Sequence, residues 1–157
     1  MDAAFCKAEG VDRIEGRQPA DHLSNAERLE RAADVRRSLT AGRASSDPTE
    51  DLAAMTEHLG DLGYWAMQYA FGEIWSRPDL SRRDRSLVVI AILCALGQDS
   101  ERAFHVPAGL NHGLTRVEIE EIMTRLCLYA GFPRAVDGMR AAKEAFAKID
   151  VRESPAT

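Results

Sequence analysis

The sequence predicts an all-α protein, and three features carry that reading. From Asn25 onward, apolar residues recur three and four apart through most of the chain. Helix-start signals stand before several of those runs: Asp47-Pro48-Thr49-Glu50, Ser81-Arg82-Arg83-Asp84 and Thr115-Arg116-Val117-Glu118. No segment makes a convincing strand, and no short-period repeat is present.

Residues 1 to about 24 show no sustained period and read as a flexible arm. Asn25 to Leu39 reads as a charged helix with Leu29, Ala32, Ala33, Arg36 and Leu39 down one side. After a loop, Asp47 caps a helix that carries Leu52, Met55 and Leu59 and fades near Gly60 or Gly63. Tyr64 to Trp75 is an aromatic stretch that should be helical and is closed by Arg77-Pro78. Ser81 then opens the run LVVIAILCAL. By composition this could be a buried strand, but the cap before it and Gly97 after it favour a helix. Being apolar almost all round, it should be the central and most buried helix. Asp99 is expected to cap the next helix, through Phe104, His105 and Ala108 to near Gly113. Thr115 opens another, with Ile119, Ile122, Met123, Leu126 and Cys127 in register, stopped by Gly131. Pro133 opens the last helix, and the polar tail from Asp150 is expected to fray. The chain thus divides into an arm with one charged helix (1–46), a helical domain (47–149) and a tail (150–157).

Composition narrows the function. A chain of 157 residues suits one domain, and self-association would add burial to a core of that size. Net charge is −5, which argues against non-specific nucleic-acid binding. The cations are 17 Arg and only 3 Lys, a bias that either reflects base composition or provides arginines to grip carboxylates. Three widely spaced cysteines, Cys6, Cys94 and Cys127, make no disulfide framework, and the last two sit in apolar runs where burial is expected. The N-terminus has no apolar core of a signal peptide, and the longest apolar run, Leu87 to Leu96, is too short to span a bilayer. No membrane partner and a cytoplasmic location are therefore expected.

From about Tyr69 to Phe146 a longer pattern emerges. FGEIWSRPDLSRRDRSLVVIA (Phe71 to Ala91), ALG with ERAFHV (Ala95 to Val106), GLNHGLTRVEIEEI (Gly109 to Ile122) and LYAGFPRAVDGMRAAKE (Leu128 to Glu144) resemble, in order and spacing, the carboxymuconolactone decarboxylase family. The resemblance implies an alkylhydroperoxidase D-like helical domain with a central antiparallel helix pair, assembled as dimers, trimers or hexamers. It also implies one of two chemistries. One branch decarboxylates a lactone without a cofactor. The other reduces peroxides through a Glu, a Cys-x-x-Cys and a His. The redox cysteines would fall on Gln98 and Glu101 and the activating Glu on Ser86, so that branch has no thiolate nucleophile here.

The remaining residues suit decarboxylation of a small carboxylated lactone or a related oxidised ring. That reaction needs a grip on the carboxylates, stabilisation of a developing oxyanion and return of a proton to carbon. Glu101 and His105 are four apart on one helix. A carboxylate beside the imidazole would favour its protonated form and make a general acid; the alternative is a solvated ion pair. His112, seven beyond His105, returns to nearly the same face, or else complements the helix C-terminus. Arg85 is the candidate carboxylate clamp, or an ion-pair partner of Asp84; Arg77 and Arg134 follow by the same logic. Trp75 and Trp65 would wall a pocket for a flat ring or pack in a core or interface. His22 and His58 lie outside the family-like blocks. The histidines and Glu101 have no metal-ligand spacing such as HExxH, so no metal and no cofactor are expected. Two rival readings remain on the same residues: an isomerase, hydratase or cyclase, and a non-catalytic helical binding or assembly protein.

Overall fold

The side chains that mark helix starts in the sequence make them in the structure. Ser24 accepts from the Glu27 amide (3.3 Å) while the Glu27 carboxylate accepts from the Ser24 amide (2.8 Å), opening α1 (Asn25–Leu39). Asp47 accepts from the Thr49 amide (2.8 Å) ahead of Pro48 and opens α2 (Pro48–Leu59). After α3 (Asp61–Trp65) and a π-helical segment (Ala66–Trp75) come α4 (Arg82–Leu96), α5 (Asp99–Asn111), α6 (Arg116–Tyr129) and α7 (Phe132–Glu153). The computed structural model describes residues 23–153, so the expectations for residues 1–22, with Cys6 and His22, and for 154–157 lie outside the described residues. Among the described residues there is no strand, and no helix is long and apolar enough to cross a membrane.

The cap at Ser81 is half a capping box. Its hydroxyl accepts from the Asp84 amide (3.0 Å), but the shorter Asp84 carboxylate takes the Ser81 hydroxyl (2.8 Å) instead of the backbone. Thr115 and Glu118 form the full reciprocal pair. Gly97 ends α4 with φ +70°, and a Cβ there would lie 1.7 Å from the Arg134 guanidinium, so both backbone and space require glycine.

Five expectations are corrected. Asp99 does not cap α5: Gln98 occupies the cap position without a side-chain bond, and the Asp99 carboxylate pairs with Arg102 at 2.5 Å. The chain does not fray at Asp150 but stays helical to Glu153, where Arg116 on α6 holds Asp150 (2.5 Å) and lies over the Phe146 ring. Helix α4 is not buried all round: Ile90 and Cys94 are enclosed, but Val88, Ile92 and Leu96, four apart, form an exposed apolar stripe. Cys94 is fully buried as expected, while Cys127 is only half-buried.

The fifth correction is the aromatic stretch. From Ala66 to Trp75 it winds as a π-helix rather than an α-helix. The wider i→i+5 winding brings residues five apart onto one side, and Met67 and Gly72 are both buried. Gly72 meets α1 backbone to backbone; a Cβ there would stand 2.5 Å from the Arg28 carbonyl oxygen. Arg28 reinforces the contact by pairing with Glu73 (3.2 Å) and lying over the Tyr69 ring. Ser76 closes the segment by donating to the Gly72 carbonyl (2.6 Å).

Two apolar clusters result. The larger joins α4, α5, α6 and α7 through Ile90, Cys94, Val106, Ile119, Met123 and Phe146. The smaller joins α1, the π-helical segment and α5 through Val35, Leu39, Ala108, Phe71 and Trp75. Helix α5 contributes to both, Val106 to one and Ala108 to the other, so residues between and beside them lie on the seam. Helix α1, assigned to the arm by sequence, is thereby a wall of the folded body. Its Arg36 also pairs with the buried Asp51 of α2 at 2.7 Å.

Candidate active site

The seam brings together three of the residues singled out in the sequence. His105 projects from α5 and is 8% exposed. Its ring stacks on the Trp75 indole from the end of the π-helical segment, with centroids 5.7 Å apart and planes 12° from parallel. His112, just past the end of α5, meets the same indole at 6.3 Å, tilted by 55°. Phe104 closes on His105 edge-to-face at 5.0 Å.

The two histidines are held in contrasting ways. The buried Nδ1 of His105 has no hydrogen-bond partner. Burial pushes its pKa down to about 4, and neighbouring His112 adds to the effect, so the ring is neutral at neutral pH. His112 is fully engaged: Nδ1 lies 2.8 Å from Ser86 Oγ and Nε2 lies 2.9 Å from Ser38 Oγ. Ser38 spends its only hydroxyl proton on the Val35 carbonyl (2.6 Å), so it must accept from His112 Nε2–H. In neutral His112, Nδ1 is then the acceptor and Ser86 donates to it. Burial also lowers the His112 pKa, against the Arg82 backbone, which favours the protonated ring.

Glu101 is not part of this cluster. It is exposed, with no hydrogen bond or ion pair to His105, and burial rather than a carboxylate sets the protonation of the imidazole. Arg85 is near the cluster but occupied. Its guanidinium donates to the carbonyls of Ile74 (3.0 Å), Arg77 (2.8 Å) and Leu80 (3.3 Å), tying down the chain on both sides of Trp75. Sequence reasoning missed Ser86 and Ser38 as partners of His112. Ser86 directly precedes the apolar α4 run, which was a usable signal for the first, and the structure buries it fully. No local signal marks Ser38, since its role depends on α1 folding over α5.

Among the described residues no group of three His, Cys, Asp or Glu side chains is placed to hold a metal ion. The arrangement offers a neutral imidazole in a water-poor site, an indole face and a rigidly oriented second imidazole. Such a site suits charge dispersal in an apolar setting better than proton donation by an imidazolium. A cleft of about 1110 Å³ lies elsewhere, between α5 and α7, and neither histidine lines it.

Comparison with known proteins bears on the chemistry. Residues 60–144, more than half of the chain, match the carboxymuconolactone decarboxylase family. The chain is 33% identical over 129 residues to 4-carboxymuconolactone decarboxylase of Acinetobacter baylyi, covering 82% of this chain and 94% of that protein. It is 31% identical over 72 residues to nitrosuccinic acid decarboxylase of Metarhizium robertsii, covering 46% of this chain and 50% of that one.

Proposed function

The chain belongs to the carboxymuconolactone decarboxylase family, and on that premise we propose that it is a cofactor-independent carboxy-lyase acting on a small carboxylated lactone or related oxidised ring, with His105 at the reacting centre. The observation that carries the reading is the buried, neutral His105 with a free Nδ1, stacked on Trp75.

Decarboxylation breaks the bond between a carbon and its carboxylate, releases CO2 and leaves the bonding pair on the substrate. In a carboxylated unsaturated lactone that pair delocalises toward the lactone carbonyl; in a nitro acid it delocalises onto the nitro group. Both relatives' names describe substrates with such an electron sink. A neutral imidazole suits the task because its N–H can donate to the developing oxyanion without first being an acid. A water-poor site raises the energy of a localised carboxylate more than that of the dispersed anion. Trp75 supplies a flat apolar wall, and His112, fixed by Ser38 and Ser86, sets that wall's other edge. Arg85 acts by positioning Trp75 rather than by gripping the substrate, because both its Nη1 and Nη2 donate to backbone carbonyls and its Nε is buried. Glu101 belongs to the solvent side of α5 and is at most a group at the entrance. The exposed Val88, Ile92 and Leu96 stripe is the surface that a second copy of the chain would cover.

The test is a cofactor-free assay of the purified protein with 4-carboxymuconolactone and, separately, nitrosuccinate, following substrate loss and CO2 release together. Turnover with loss of one CO2 supports the reading. A product of unchanged mass makes the enzyme an isomerase or cyclase. Inert substrates together with an unliganded, well-folded protein favour a binding role.

A further inference from the structure

We infer that the cleft between α5 and α7 is a second site, separate from the Trp75–His105–His112 cluster, that binds a small polyanion such as a polycarboxylate or a phosphorylated metabolite. The cleft encloses about 1110 Å³. Seven Arg or Lys side chains and three carboxylates line it, in a protein whose net charge is −5. Two of those carboxylates, Asp99 and Asp137, are already paired with Arg102 and Arg140. Arg116 is held by Asp150. Arg43, Arg134, Lys148 and Arg152 have no ion pair among the described residues, against one unpaired carboxylate, Glu144, which leaves a concave wall of net positive charge. A cleft lined by one sign of charge concentrates the opposite ion.

Arg102 makes this a built site rather than a solvated basic face. It lines the cleft, yet it is only 5% exposed. Its Nε and Nη1 have no hydrogen-bond partner, and Nη2 alone is satisfied, by an Asp99 side chain that is 82% exposed. Its other polar neighbour is the buried Cys94 thiol, a poor acceptor. A guanidinium keeps its charge at any accessible pH, and this one, paired only with an exposed carboxylate, has two donors left without an acceptor. A carboxylate or phosphate group in the cleft supplies the planar pair of acceptors that its fork matches. Leu39, Pro107 and Leu110 form an apolar side of the same cleft, which favours a small organic anion over a bare ion. Phe104 lines the cleft and also touches His105 edge-to-face, so an occupant sits one ring away from the imidazole.

The test is isothermal titration of the full chain with citrate, pyrophosphate and acetate at low salt. Saturable binding of citrate or pyrophosphate, with acetate silent, is expected, and the affinity should fall as salt rises. The tighter of the two names the ligand class. The double variant Arg134→Ala, Lys148→Ala should weaken binding by about tenfold or more, as should Arg102→Lys, which keeps the charge but loses the fork. His105→Gln should leave it unchanged. Three results overturn the site: heats no larger than those of acetate, full affinity in the double variant, or loss of binding in His105→Gln. Heat reports occupancy without turnover, so failure here is distinct from failure of the decarboxylase reading.

Discussion

The His105 imidazole lies flat against the Trp75 indole, 12° from parallel, although the two residues are thirty positions apart and come from differently wound helices. That contact replaces water over one face of the imidazole and explains why burial is the largest cause of its depressed pKa. It also separates the role of His105 from that of Glu101. His105→Gln keeps an N–H donor but loses the imidazole, and turnover should fall by about tenfold or more with helicity intact. Glu101→Gln, which alters an exposed side chain with no contact to the ring, should stay within about threefold of the parent. Comparable losses of kcat in the two variants would return Glu101 to the reacting centre.

Stability should depend on pH through the same group. Unfolded, His105 titrates at its ordinary 6.5; folded, at about 4. Between those values the unfolded chain binds more protons, so stability is full above about pH 6.5 and declines as pH falls toward 4. The shift corresponds to roughly 3 kcal/mol for this buried ring, a large share of a typical total. His112, also lowered by burial, acts in the same direction. Urea midpoints at pH 7.5 and 4.5 should therefore differ strongly in the parent and less in His105→Gln. An equal decline in both would show that other groups control acid sensitivity.

The parts of the fold that were readable in the sequence are those fixed locally. The starts at Asp47, Ser81 and Thr115 depend on a side chain reaching an amide two or three residues away, and the glycines at 97 and 131 depend on their own φ. The π-helical winding was not readable; the close approach that accompanies it, of Gly72 to the Arg28 carbonyl, is made to another helix. The site divides the same way. The seven-residue spacing of His105 and His112 signals a shared face. The four-residue spacing of Glu101 and His105 misleads: it gives proximity along a helix but an offset of about 40°, and here that offset separates solvent from core. The pairing of His112 with Ser38 spans 74 residues and needs the tertiary structure.

His112 should couple the two serines that hold it. Ser86→Ala leaves Nδ1 without its donor in a buried setting, at a cost of about 1–2 kcal/mol in unfolding free energy. Ser38→Ala removes the acceptor of Nε2–H and should cost a similar amount. Because both act through one ring, the double variant should cost less than the two single costs added together. Additive costs would mean that the ring is held by packing on Trp75 rather than by its hydrogen bonds.

Gly72 offers the most direct link between winding and chemistry. Alanine there places a methyl 2.5 Å from the Arg28 carbonyl oxygen and 2.9 Å from that of Met67, both backbone atoms that cannot turn aside. The π-helical segment must then lift from α1 or rewind, and either response moves Trp75, three residues on, relative to His105. Gly72→Ala should lower thermal stability and, where the protein remains folded, lower kcat more than a surface change of equal stability cost. Tryptophan fluorescence separates the two effects: Trp65 is exposed and Trp75 sits against two imidazoles, so a changed emission from the Trp65→Phe background reports the site alone. Unchanged emission and kcat in a destabilised Gly72→Ala protein would mean that the segment gives way at α1 without disturbing the stack, and that the π-winding serves packing rather than the active site.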